Sequence, residues 1–165
     1  KILRDSLKIK GPVYIRLGKK NEPNFSNRKR IGTSDLLVKS SKNLIISVGN
    51  ILAECIYASK ILKKNYKVEN AVLDLRKVKP LNSIKLKKFI QSFTKIFIVE
   101  EHYSSNGAGT AIMEWFANEK KSMDSFVSLG IKNEFIHGSG AQLNSREIAG
   151  VSAKKIIKRI LRKIK

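Results

Sequence analysis

The chain has 165 residues, 42% of them hydrophobic, and a formal net charge of +21 from 34 Lys and Arg against 13 Asp and Glu. The apolar content excludes wholesale disorder, and the length suits one domain plus a fragment of another. No apolar run approaches the ~20 residues a membrane-crossing helix needs, and the single cysteine, Cys55, excludes an internal disulfide and fits a reducing, cytoplasmic setting. The positive charge admits an anionic partner, either nucleic acid or a membrane surface. Aromatic residues, however, make up only 7% of the chain and are not interleaved with the basic ones as a stacking platform requires. No common nucleic-acid motif is present, so the charge reads as a lysine-rich solvent face.

Lys1 to Arg4 reads as the interior of a helix without a cap, so the chain is expected to be a piece of a longer protein. Gly11-Pro12 is a turn, and Val13 to Leu17 has strand composition. Residues 19–35 are polar and basic, hold Pro23 and one aromatic, Phe25, and read as a linker. Alternation begins beyond it. Strands are expected at Leu36 to Lys39, Leu44 to Val48, Ala71 to Leu75, Ile96 to Val99 and Phe126 to Leu129. Helices are expected from Ile51 to Lys64, from a cap at Asn82 or Ser83 through Phe93, from Ala108 to Asn118, and from Ser152 to the end.

The second of these helices offers Ile84, Leu86, Phe89 and Ile90 as apolar positions. In the last, Ile156, Ile157, Ile160, Leu161 and Ile164 face inward, while Lys154, Lys155, Lys158, Arg159, Arg162 and Lys163 form a charged outer face. That stripe continues the periodicity of the other helices, which favours a core-facing helix over a basic membrane binder. Cys55 falls on the apolar side of the first helix without a histidine or acid at catalytic spacing, so a structural thiol is expected there. Strand–helix alternation of this kind implies a mostly parallel sheet covered on both faces.

The densest cluster of polar chemistry follows the fourth of these strands: Glu100-Glu101-His102, then Gly107-Ala108-Gly109 at a helix start. As a dinucleotide fingerprint it fails three ways. Ile112 occupies the third glycine position, several residues separate strand from glycine, and no acid ends the next strand. The glycines permit tight loop packing, leaving helix N–H groups able to face a carboxylate or phosphate. The Glu–Glu–His trio can be an acid/base device or an interface network, and the second reading is preferred. His102 and His137, the two histidines, lack metal-ligand spacing.

Five segments, in order, resemble the C-terminal portion of the transketolase family of thiamine-diphosphate enzymes, whose relatives include deoxyxylulose-phosphate synthase and the beta subunits of 2-oxoacid dehydrogenases. They are Gly11 to Lys19, Leu44 to Asn50, Val78 to Asn82, Val99 to His102 with Gly107 to Gly109, and Gly130 to Phe135. The likeness spans essentially the whole chain and is nearest to transketolases split into two subunits. Asn82 stands where the family has aspartate, and Asn106 where a glycine is common.

The resemblance implies a three-layer α/β/α domain with a five-stranded mixed sheet, four strands parallel and one reversed. Residues 1–18 would be the remnant of a preceding pyrimidine-binding domain, 19–35 a linker, and 36–165 the C-terminal domain. It further implies an assembly role, with Glu100, Glu101, His102, Gly107 and Gly109 at the interface. The partners would be a second copy and the remaining domains or N-terminal subunit. Thiamine diphosphate and Mg²⁺ would be held elsewhere, with no cofactor, metal or catalytic residue in this chain. The family reaction is ketol transfer between sugar phosphates, and Arg16 matches the arginine that binds the substrate phosphate, for which a guanidinium fork is well suited. A stand-alone basic α/β module binding nucleic acid is the alternative, and an orphan regulatory domain a third.

Overall fold

A computed structural model describes residues 2–15, 23, 25, 34–40, 42–81, 84–117, 123–138 and 140–164. The chain divides into two units, Lys1–Gly32 and Thr33–Lys165. In the first, a single helical turn, α1 (Ile2–Ser6), is closed by the Ser6 hydroxyl donating to the Leu3 carbonyl at 2.7 Å. Leu3, Leu7 and Ile9 are each at least 60% exposed. Residues 12–15 carry no strand pairing, which corrects the expectation of a strand beginning at Val13. A strand without a neighbour leaves its backbone groups unpaired and gains nothing from the extended conformation. Arg16 and Leu17 lie outside the described residues, as do the helix caps expected at Asn82 or Ser83.

The second unit is a three-layer sandwich. Its sheet runs β1 (Ser34–Val38), β3 (Asn70–Leu75), β2 (Asn43–Val48), β4 (Lys95–Glu100), β5 (Phe126–Ser128). All neighbours are parallel except β1, which pairs antiparallel with β3 at the edge through an irregularity between Leu36 and Val38. The helices are α2 (Leu52–Tyr66), α3 (Ile84–Gln91), α4 (Ala108–Ala117), α5 (Gln142–Ile148) and α6 (Ala153–Ile164).

Strand alternation sorts the side chains into two apolar layers. Ile45, Val72, Phe97 and Val99 face α2 and α6, packing on Cys55, Ala58, Leu62, Ile156 and Ile160. Leu44, Ile46, Leu73, Ile96 and Ile98 face the opposite way, onto Leu86 and Ile90 of α3 and Ile112 and Phe116 of α4. Central strands covered on both sides need apolar residues at every position, which is why β2 and β4 read as near-continuous runs. One inner hydroxyl is used structurally: Ser59 on α2 donates to the Asn70 carbonyl at 3.1 Å.

Several expectations are corrected in detail. Ile84 is 72% exposed and takes no part in the core. Helix α3 ends at Gln91, where Ser92 and Phe93 amides turn back to Phe89 and Ile90 at 3.2 and 3.3 Å, although Phe93 stays buried. Arg159 is not part of the solvated face of α6; its guanidinium reaches the Gly130 and Ser128 carbonyls at 3.0 and 3.2 Å. Helix α5 has no counterpart in the sequence reading.

The winding fixes where chemistry gathers. From β2 the chain leaves through α2 toward one face; from the neighbouring β4 it leaves through α4 toward the other. The carboxyl ends of β2 and β4 therefore flank the point where the winding reverses, the place where open α/β sheets receive ligands.

Candidate functional site

At that reversal point Glu100, the last residue of β4, is only 3% exposed. Its parity in the strand matches Ile96 and Ile98, so its side chain turns toward α4. There Oε2 accepts the Ala108 amide at 2.7 Å and Oε1 the Gly109 amide at 2.9 Å. These are the first two N–H groups of α4, which have no partner inside the helix. A carboxylate satisfies them with charge-assisted bonds and meets the positive end of the helix dipole. The anion that a helix N-terminus attracts is thus supplied by the chain itself.

The glycine loop exists to allow this approach. A Cβ on Gly107 would lie 2.7 Å from the Glu100 carboxyl carbon, and one on Gly109 would lie 3.0 Å from Ser128 Oγ and 3.1 Å from Glu100 Oε1. Asn106 takes φ 59°, a left-handed conformation that asparagine tolerates better than most residues, and its amide donates to Thr110 Oγ1 at 3.1 Å. The departure from glycine at 106 therefore preserves the turn.

Glu101 has the opposite parity and turns the other way, to Arg146 on α5. The Arg146 Nε lies 2.5 Å from Glu101 Oε1, Nη2 donates to the Asn50 carbonyl at 3.1 Å, and Nη1 stands 3.7 Å from Glu54 Oε1. Glu54 also accepts the Ala153 amide at 2.6 Å, at the start of α6. Arg146 is only 6% exposed, so its charge is carried inside by two carboxylates and a carbonyl. It binds the ends of β2, β4, α5 and α6 into one unit.

His102 shares neither acid. Its exposed ring has Nδ1 3.1 Å from the Tyr103 carbonyl, while its own carbonyl accepts the Ile131 amide at 2.8 Å. Gly130 is needed beside it, because a Cβ there would fall 2.7 Å from the His102 oxygen. The trio thus splits three ways, which disfavours a joint acid/base device. Glu100, Gly107 and Gly109 are brought together; Glu101 and His102 are not part of that cradle, and Arg16 lies outside the described residues. Cys55 is fully buried, and burial pushes its thiol up to about 12, so it has no nucleophilic character near neutral pH.

Sequence reasoning missed Arg146, Glu54 and Asn50. Only the structure pairs residues so far apart in the chain, and no local spacing signals them. It also missed Glu147, which accepts the Ser152 hydroxyl and lies 3.3 Å from Lys155 Nζ. The Ser152 bond, more than Lys155, holds the Glu147 carboxyl below its usual range.

Two predictions follow from these contacts. Gly107→Ala and Glu100→Ala should each cost about 1–3 kcal/mol, one by overpacking and one by orphaning two amides. Because Glu100→Ala removes the atoms that Gly107→Ala strikes, the double variant should cost clearly less than the sum in urea unfolding; strict additivity would contradict the cradle. For Glu147, the folded carboxyl titrates below the unfolded value of about 4.3, so its stabilisation is complete above that value and is lost as pH falls through the folded one. The stability gap between the parent chain and Ser152→Ala should therefore narrow on acidification below about pH 4. A gap constant with pH would exclude this linkage.

The family described as "Transketolase, C-terminal domain" matches residues 32–156. A 1-deoxy-D-xylulose-5-phosphate synthase of Fusobacterium nucleatum subsp. nucleatum is 31% identical over 146 residues, covering 83% of this chain and 23% of that protein. The synthase of Dictyoglomus thermophilum is 28% identical over 165 residues, covering 97% of the chain and 26% of that protein. The chain thus spans about a quarter of the length of these curated relatives. Among solved structures, a split-gene transketolase described as an inactive beta4 tetramer superposes with a TM-score of 0.83 at 24% identity, over 98% of this chain and 53% of that one. The transketolase of Campylobacter jejuni gives 0.56 at 20% identity, over 86% and 20%. At these identities the structures speak for the fold, and the fold agrees with the family match: this chain belongs to the transketolase C-terminal domain family.

Proposed function

We propose that the chain is the C-terminal assembly domain of a thiamine-diphosphate-dependent, transketolase-like enzyme that moves two-carbon ketol units between sugar phosphates. On this reading it is not catalytic alone. The observation that carries it is the exposure of large apolar side chains in the segments that follow β4 and β5. Tyr103 is 39% exposed, Phe135 90%, Leu143 65% and Ile148 49%. Tyr103 pairs with Ile131, Phe135 follows four residues later in the chain, and Leu143 and Ile148 lie on α5, which Arg146 ties to Glu101. Exposed large apolar side chains favour a docking face, and a second copy together with the remaining domains or N-terminal subunit is the proposed occupant. Glu101 and His102, both exposed, follow β4 directly, while Glu100, Gly107 and Gly109 would serve the docking face from behind by fixing the loop.

On this reading thiamine diphosphate and Mg²⁺ are held by the remaining domains of the enzyme. Glu100 already occupies the winding-reversal site, and among the described residues no three His, Cys, Asp or Glu side chains cluster as metal ligands. No reaction step is therefore assigned to this chain. Arg16 is proposed to hold the substrate phosphate in the complete enzyme. Among the described residues no helix is long and apolar enough to cross a membrane.

Two measurements test this reading. In light scattering the chain should self-associate, and Phe135→Glu with Leu143→Glu should weaken association by about tenfold or more, the scale of two anchor residues, without changing the circular dichroism. A chain that stays monomeric at high concentration would contradict the interface. Mixed with the subunit that holds thiamine diphosphate, the chain should restore ketol transfer, and Arg16→Ala should raise the KM for the sugar phosphate about tenfold. Tight binding of thiamine diphosphate by this chain alone, or a mobility shift with RNA at physiological salt, would contradict the assignment.

A further inference from the structure

At the opposite, amino edge of the sheet, we propose a binding site for a small, multiply charged phosphate compound. A cavity of about 710 Å³ opens there, and Lys42, Lys67, Lys95 and Lys163 stand on its walls with Thr94 and Glu69. The volume lies within the range of small-molecule sites, roughly 300–1,000 Å³. The four lysines come from four separate places: the approach to β2, the residue after α2, the first residue of β4 and the last turn of α6. No local sequence pattern would gather them.

The floor beneath them is rigid. Asn43, 4% exposed, donates from Nδ2 to the Glu69 carbonyl at 3.1 Å and sits in register with Asn70 and Lys95 on the flanking strands. The Thr94 amide donates to the Lys42 carbonyl at 3.0 Å. Lys67 takes φ 58° and ψ 24°, a left-handed helix-ending conformation for which glycine is favoured. Lysine stands there in place of the favoured glycine and lines the cavity.

Charge in the cavity is not neutralised from within. Glu69, the one carboxylate among its described lining residues, is paired with Lys63 at 2.8 Å, and Lys95 donates to the Asp124 carbonyl at 2.9 Å. Lys42, Lys67 and Lys163 are paired with no carboxylate among the described residues. The carbonyl ends of α2 and α6 reach the same edge and contribute about half a negative charge each. Four ammoniums against roughly one negative charge leave an excess of about three. Compact ammonium donors in a concave site suit phosphate oxygens. Among the described residues no aromatic ring lines the cavity, so a nucleic-acid strand would find no stacking platform in them. A free compound carrying two or three phosphates fits better than a polymer.

Calorimetric titration with inorganic tripolyphosphate in about 0.15 M salt, where diffuse attraction is screened, tests the site directly. One equivalent should bind with a Kd of about 0.1 mM or below. Lys42→Gln with Lys163→Gln should weaken it about tenfold or more. Lys60→Gln with Lys154→Gln, an equal loss of charge on the exposed faces of α2 and α6 outside the cavity, should change it by less than about twofold. Absence of saturable binding, equal weakening by both pairs, or binding of an RNA oligonucleotide without tripolyphosphate would each overturn the proposal. Phe135→Glu should leave the titration unchanged, so failure here is separate from failure of the assembly reading.

Discussion

One buried carboxylate governs the carboxyl edge of this domain. A parallel sheet that reverses its winding between β2 and β4 opens a crevice, and the start of α4 points amide hydrogens and a positive dipole into it. In many proteins an anionic ligand answers that field. Here Glu100 does, with bonds of 2.7 and 2.9 Å. The consequences spread outward: a side chain on Gly107 would strike the Glu100 carboxylate, one on Gly109 would press on Ser128 and Glu100, and residue 106 turns left-handed.

The same strand end shows how alternation divides labour. Two adjacent glutamates point to opposite faces because the pleat requires it. Glu100 secures the start of α4 on one face, and Glu101, through Arg146, secures α5 on the side of α2 and α6. Breaking one partner of the Arg146 cluster would leave charge stranded inside, so the cluster acts as a fastener for four segments. With both faces fixed, the loop carrying His102 and Tyr103 is held against Gly130 and Ile131. The two edges of the sheet then differ: exposed apolar side chains stand in the segments beyond one, and lysines line a hollow at the other.

Much of this was legible in the sequence, and the reasons are specific. Continuous apolar runs at Leu44 to Val48 and Ile96 to Val99 can only be central strands, and the stripe through Ile156 and Ile160 can only cover them. The glycine loop was visible too, and its failure as a dinucleotide fingerprint was informative. What escaped was nonlocal. Helix α5 carries few apolar residues and owes its place to Arg146, whose partners lie 45 and 96 residues away in the chain. Arg159 looked like surface charge because periodicity ranks positions by angle and cannot see two waiting carbonyls. Ile84 looked like core because an apolar residue at the mouth of a helix fits the period without facing the sheet. Val13 carried strand composition without a partner strand to pair with.

The central claim is that Glu100 closes the N-terminus of α4 from inside the protein. Amide hydrogen exchange followed residue by residue measures this most directly, since the first amides of a helix ordinarily exchange fast for want of a partner. Ala108 and Gly109 should be protected to within about tenfold of the β4 amides, because opening them requires the core to open. Exchange at the rate of an unstructured peptide at both positions would contradict it.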